Sequence, residues 1–94
     1  MRDEKLGMEE KLDGLNLDTT AFKVLCYLTF SSDALRPSDI ASGTGQNPST
    51  VRARLTELKD SGLVISIPEG YISAVNPHDI LMKLYRDIKG EMGV

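Results

Sequence analysis

Apolar residues recur at helical spacing in four segments of the chain, which predicts four helices. The predicted helices are Thr19 to about Phe30, PSDIASGT at 37–44, the stretch 48–61, and Pro77 to about Lys89. Asp18, Asn47 and Asn76 each stand before one of these helices, where a side-chain oxygen can accept from the first free N–H groups. Gly43 and Gly45 bracket the end of the second helix and permit the left-handed backbone of a tight turn.

Between the third and fourth helices the spacing changes to two short apolar runs. These are LVISI at 63–67, in which apolar residues alternate, and YISAV at 71–75. The intervening Pro68-Glu69-Gly70 is typical of a chain reversal, because Pro68 fixes φ at the second turn position and Gly70 tolerates a positive φ. The pattern therefore predicts a small β-hairpin.

The chain begins with a charged segment, residues 1–14, in which apolar residues are few. Leu6, Met8 and Leu12 are the only apolar positions that a helix over 3–13 would align. The pattern leaves open whether this segment is a helix or a frayed tail. We therefore divide the chain into an acidic N-terminal segment at 1–14, a main domain at 15–75 and a C-terminal helix at 76–94.

The order of elements is helix, short helix, tight turn, helix, hairpin and helix. Ninety-four residues are enough for one domain with a modest core. Two helices joined by a glycine-containing turn and followed directly by a hairpin indicate a winged helix-turn-helix. The predicted fold class is mainly α with a small β-hairpin, and the C-terminal helix is a candidate dimerisation element.

The charge of the chain is unevenly distributed along its length. The formal net charge is -3, and residues 1–18, with three basic and six acidic groups, carry all of that excess. Residues 19–62, with five basic and four acidic groups, have a net charge of +1. Because screening acts over about 8–10 Å, the acidity of the whole chain does not exclude a local contact with nucleic acid.

Few residues suggest catalysis or metal binding. Cys26 is the single cysteine and His78 the single histidine, so an internal disulfide is excluded and a metal site is not expected. There is no glycine-rich phosphate loop and no catalytic triad spacing. The apolar runs are too short to cross a bilayer, and the N-terminus lacks the apolar stretch of a signal peptide. We expect a cytoplasmic protein that is not an enzyme and needs no cofactor.

The central segment resembles a known family. DIASGTGQNPSTVRARLTELKDSGLV resembles the helix-turn-helix of bacterial and archaeal winged-helix transcription regulators of the MarR, ArsR and Lrp type. The shared features are the alanine at Ala41, the turn glycine at Gly45, the PSTV opening at 48–51 and the exit from Leu55 to Val64. LNLDTTAFKVLCYL before it and GYISAVNPHDILMKL after it are similar to the DNA-binding module of TrmB-like regulators, so the resemblance covers about residues 15–90. It implies a prokaryotic transcription regulator that binds double-stranded DNA sequence-specifically, with helix 48–61 in the major groove.

Helix 48–61 has one apolar side and one polar side. The predicted DNA contacts are Ser38, Asn47, Ser49, Thr50, Arg52, Ala53, Arg54 and Thr56. Small side chains near the start of the helix allow its backbone to approach the duplex closely. Arg52 has the fork geometry for guanine O6 and N7, or can pair a phosphate. Arg54 points either to phosphate or to Asp60, and Ser38 either donates to phosphate or caps the short helix.

The tip of the predicted hairpin departs from the family pattern. A wing that enters the minor groove usually carries Arg or Lys, whereas this tip contains Glu69 and no basic residue lies between Lys59 and Lys83. The alternative function is therefore a protein–protein interaction module in a transcription or replication assembly.

The C-terminal helix carries more apolar residues than a small domain needs. Leu81, Leu84, Tyr85 and Ile88 recur every three to four residues. They either close the core of their own chain or form the contact between two copies. We expect a homodimer, which would present two copies of helix 48–61 to a palindromic site.

Overall fold

The computed structural model describes residues 10–17 and 19–91. Its elements are α1 (Thr20–Thr29), α2 (Pro37–Thr44), α3 (Pro48–Asp60), β1 (Val64–Ile67), β2 (Gly70–Ser73) and α4 (Pro77–Glu91). Residues 10–13 are also helical, and they are the described part of the segment 3–13, for which the sequence left a helix or a frayed tail open. The described part of the protein is thus mainly helical with a two-stranded antiparallel hairpin, as the sequence predicted.

Side-chain caps fix where the helices begin. Asn47 caps α3, as predicted, with its Oδ1 accepting from the Ser49 N–H at 2.9 Å. The prediction of Asp18 as the cap of α1 was wrong, because the cap is Thr19, whose Oγ1 accepts from the Phe22 N–H at 3.2 Å. Asp18 itself lies outside the described residues.

The core is mainly aliphatic, and its residues come from the helices, from the start of the hairpin and from Val75 after it. Its buried residues are Leu12, Ala21, Phe22, Val24, Leu25, Leu28, Ile40, Ala41, Val51, Leu55, Leu58, Leu63, Val64, Val75 and Ile80. Leu12 is fully buried, so the helical turn at 10–13 is part of the globule. Full burial of one leucine contributes about 1.5–3 kcal/mol. The adjacent Asp13 accepts from the Arg86 guanidinium at 2.7 Å, which ties the same turn to α4.

The hairpin is extended on one side by a residue from a predicted loop. Leu35 and Tyr71 form an antiparallel bridge, in which the Leu35 N–H donates to the Tyr71 carbonyl at 3.0 Å and the Tyr71 N–H donates to the Leu35 carbonyl at 2.7 Å. Gly70 next to this bridge has φ +143°, so the prediction of a positive φ there is confirmed. A Cβ on Gly70 would lie 2.5 Å from the Leu35 carbonyl oxygen.

Of the two glycines expected at the end of α2, only Gly45 has that role. Gly45 is the C-cap with φ 71°, in the left-handed region. Gly43 lies inside α2 and has no positive φ. The ring of Tyr27 lies directly over Gly43, where a Cβ would collide with it. Gly43 therefore serves the close contact between α1 and α2.

The inner side of α4 differs from the prediction. Ile80 is buried and Leu84 packs partly against the core. Lys83 lies on the same inner side of α4, and its side chain is only 1% exposed. The Lys83 Nζ lies 3.1 Å from the Asp87 carboxylate and 5.7 Å from the centre of the Phe22 ring. Burial of this ammonium group was not predicted.

Three of the apolar residues of α4 lie on its outer side, although the sequence predicted them on the same side as Ile80. Leu81, Tyr85 and Ile88 are 57%, 58% and 52% exposed, and we call these three residues the outer stripe. Leu84, the fourth predicted dimerisation residue, faces the other way and packs on the core. The predicted apolar side of this helix is therefore divided between the core and the surface.

Candidate nucleic-acid interface

The helix that the sequence marks as the DNA-reading element is anchored on one side only. Val51, Leu55 and Leu58 of α3 are buried, as their spacing predicted, and α3 packs against α1 and α2. Only Gly45, Gln46 and Asn47 separate α2 from α3. The core therefore fixes the direction in which the opposite side of α3 faces solvent.

Four of the predicted contact residues share that solvent side. Ser49, Arg52, Ala53 and Thr56 are all exposed, and they cover the first two and a half turns of α3. Within the described residues Arg52 makes no ion pair, so its guanidinium is available to an external acceptor. The small side chains of Ser49 and Ala53 leave the helix surface low enough for another backbone to approach.

The hydroxyl groups on this side already have partners. The Ser49 hydroxyl donates to the Asn47 Oδ1 at 2.7 Å, and the Thr56 hydroxyl donates to the Arg52 carbonyl at 3.0 Å. Each hydroxyl would have to rotate before donating to a phosphate. Asn47 is similarly occupied, since the same oxygen accepts from the Ser49 N–H. Arg52 is thus the strongest available donor of this group.

Arg54 lies away from the exposed side of α3. Its Nη2 donates to the Glu57 carboxylate at 2.8 Å, rather than to Asp60 as considered from the sequence. Its side chain is 32% exposed and lines a cleft with Thr19 and residues 14–16. Arg54 therefore lies on the flank of α3 that faces residues 14–16. Glu57 lies three residues after Arg54, about one helical turn along α3.

The remaining predicted contacts lie at the margins. Thr50 is half-buried, on the same flank of α3 as Arg54. Ser38 is exposed in the first turn of α2, next to the exposed Arg36.

The sequence prediction omitted two exposed basic residues, Arg36 and Lys59. Lys59 is exposed two helical turns after Arg52, hence on the same flank of α3. The sequence could have indicated both residues, because each is a basic residue at the end of a predicted helix.

The hairpin tip carries no positive charge. Pro68 and Glu69 form the turn and are exposed. Behind the tip, Ile65 is 46% exposed and pairs with Ile72 across the hairpin. The outer surface of the hairpin is therefore apolar at Ile65 and acidic at Glu69. Such a surface suits contact with protein better than contact with phosphate.

The residues capable of other chemistry are not assembled into a site. Cys26 is half-buried on α1, and burial raises the pKa of its thiol, which lowers its reactivity. His78 is exposed at the start of α4. Among the residues that the structure describes, no three His, Cys, Asp or Glu side chains come together as a metal site would require. Over the same residues, every helix is too short or too polar to span a bilayer.

The chain was compared with models of protein families, with curated proteins and with solved structures, and none of the three comparisons finds a match.

Proposed function

We propose that the protein binds double-stranded DNA through the exposed side of α3 and acts as a sequence-specific transcription regulator. The observation that carries this proposal is the exposed set Ser49, Arg52, Ala53 and Thr56 on a helix whose other side is buried. The short α2, the three-residue connection and the following hairpin together agree with a winged helix-turn-helix. In this proposal the protein acts in the cytoplasm of a prokaryotic cell.

Each group on α3 has a distinct part in the proposed contact. Arg52 reads a guanine through O6 and N7 in the major groove, a contact that contributes about 1–3 kcal/mol of discrimination. Ser49 and Ala53 let the start of α3 enter the groove, and Lys59 pairs a phosphate on the same flank. Ser38 and Arg36 lie at the start of α2, the helix that crosses the sugar-phosphate backbone in such folds.

Replacing Arg52 with alanine is expected to weaken binding to the preferred duplex by about 5- to 150-fold, the equivalent of 1–3 kcal/mol. The duplex is first selected from a random pool, and affinity is then measured by fluorescence anisotropy at several salt concentrations. Arg54→Ala is the matched control, because Arg54 lies on the same helix but is paired with Glu57. We expect the control to reduce affinity much less.

The salt dependence gives a second readout of the same proposal. The logarithm of affinity should fall by roughly 0.9 per neutralised phosphate for each logarithmic unit of salt. Circular dichroism of both variants checks that the fold is retained. If no duplex is bound at about 50 mM salt, the DNA-binding proposal is wrong.

The outer stripe of α4 supports the second part of the proposal, a homodimer. Replacing Leu81 with glutamate is expected to convert a dimer into a monomer, because a charge in the dimer contact would lose its hydration. Leu81 is 57% exposed, so the monomer should stay folded. Sedimentation at micromolar concentration measures the change, and Ser42→Glu, at an exposed position of α2, is the control. A wild-type chain that stays monomeric when concentrated contradicts this prediction.

The alternative function is a protein-interaction module in a transcription or replication assembly. The observation that favours it is the hairpin, where Glu69 replaces the expected basic residue and Ile65 is exposed. This alternative predicts no salt-dependent DNA binding at all, so the anisotropy titration separates the two functions.

A further inference from the structure

An open cleft of about 580 Å³ lies between α1 and the end of α2, and we call it the α1 cleft. Its apolar lining comes from α1 and from the segment before it: Leu17, Phe22, Cys26, Tyr27 and Phe30. Phe22 is buried, whereas Tyr27 and Phe30 are 40% and 58% exposed. Two large aromatic side chains therefore remain partly in water beside an apolar cleft, where a bound molecule would cover them.

Lys23 supplies the positive charge of the α1 cleft. It lines the cleft and is exposed. Within the described residues Lys23 takes part in no ion pair, and no carboxylate lines the cleft. Phe30, which also lines it, lies seven residues further along α1, a distance of about 10 Å along the helix axis. The cleft therefore has a cation toward one end and hydrocarbon along the rest of its length.

Two hydroxyl groups of the α1 cleft face the protein rather than the open space. The Thr44 hydroxyl donates to the Ile40 carbonyl at 2.7 Å. The Tyr27 hydroxyl lies against Gly43, where α1 and α2 touch. The lining thus offers little to a ligand that carries polar groups along its length, and it favours a plain hydrocarbon body.

We propose that the α1 cleft binds an amphipathic monoanion, a molecule with one carboxylate and a hydrocarbon body of about 10 Å. The carboxylate pairs with the Lys23 ammonium at the edge of the cleft. The body lies along α1, over Cys26 and against the rings of Tyr27 and Phe30. Small-molecule sites have volumes of about 300–1,000 Å³, a range that includes this cleft. The site is distinct from the exposed side of α3 and from the outer stripe, so the proposal does not depend on DNA binding.

Protection of Cys26 from a thiol reagent tests the site, because Cys26 lines the cleft and is the single cysteine of the chain. Burial raises the pKa of its thiol, so its reaction with iodoacetamide, an uncharged reagent, is followed at mildly alkaline pH. Octanoate, which has the proposed length and charge, should slow this reaction. Octyltrimethylammonium, with the same chain and the opposite charge, should protect more weakly. If octanoate leaves the rate unchanged, or protects no better than the cation, the proposal is wrong.

A charge reversal tests the role of Lys23. Lys23→Glu should weaken octanoate binding by about 2- to 30-fold, because repulsion replaces attraction at an exposed position. Binding of octanol, which carries no charge, should not change. Lys11→Glu is the matched control, since Lys11 is exposed outside the cleft and the substitution changes the net charge equally. If the two variants weaken octanoate binding equally, the assignment to Lys23 is wrong.

The hydrocarbon contact has a separate test. Phe30→Ala should weaken the binding of octanoate and octanol by the same factor, because it removes contact with the body and leaves Lys23 in place. Phe30 is 58% exposed, so the variant should stay folded, which circular dichroism checks. If Cys26 becomes less reactive as the protein is concentrated and octanoate has no effect, a second copy fills the cleft and the proposal is overturned. Every measurement is made without DNA, so its outcome is distinct from that of the DNA titration.

Discussion

Gly70→Ala is expected to lower the free energy of unfolding by about 2–6 kcal/mol, because two costs add at this position. Gly70 has φ +143°, a backbone conformation that residues with a Cβ rarely adopt. The added Cβ would also lie 2.5 Å from the Leu35 carbonyl oxygen and 2.7 Å from its carbon. These are backbone atoms of a hydrogen-bonded bridge, so they cannot move without breaking it.

Gly45→Ala is the matched control for Gly70→Ala. Gly45 also has a positive φ, 71°, but a Cβ there would meet nothing within 4 Å. Its substitution should therefore cost only the backbone strain, about 1–2 kcal/mol. Urea unfolding followed by circular dichroism measures both variants, and hydrogen exchange at the Leu35 amide reports on the bridge. Equal destabilisation by the two substitutions would contradict a steric role for Leu35.

Locally encoded features of the fold were predicted well. The bounds of α2 and α3 follow from Pro37, Pro48 and Gly45, which act on their own backbone wherever the chain is packed. The buried side of α3 follows from Val51 and Leu55, because helical spacing alone aligns them. The exposed side of α3 follows from the same spacing, although spacing carries no information about what that side binds.

Features that depend on distant residues were not predicted. The bridge between Leu35 and Tyr71 joins residues far apart in sequence, and SSDAL has no strand-like pattern of its own. The orientation of α4 is a similar case. Its apolar residues fit either of two sides, and tertiary packing places Lys83 inside and Tyr85 outside. Sequence periodicity identifies an amphipathic helix. It does not tell which of the apolar residues pack on the core of the chain and which stay on its surface.

Asp87→Ala is expected to destabilise the protein by about 2–3 kcal/mol. The substitution leaves the Lys83 ammonium, which is 1% exposed as a side chain, with the Phe22 ring as its remaining neighbour in the described contacts. Breaking a fully buried ion pair costs about 3–5 kcal/mol, and the lower figure reflects the partial exposure of Asp87. Thermal and urea unfolding at neutral pH measure the difference.

Lys83→Met, which removes the other partner of the same ion pair, is not expected to lower the free energy of unfolding. Methionine has nearly the volume of the lysine chain and needs no partner in the interior, so this variant should be as stable as the wild type or more stable. Asp87→Ala in the Lys83→Met background should then have little effect, because no buried charge is left unpaired. A double-mutant cycle measures this coupling. If Lys83→Met is as destabilising as Asp87→Ala, Lys83 contributes attraction that exceeds its desolvation cost, and the ion pair stabilises the attachment of α4.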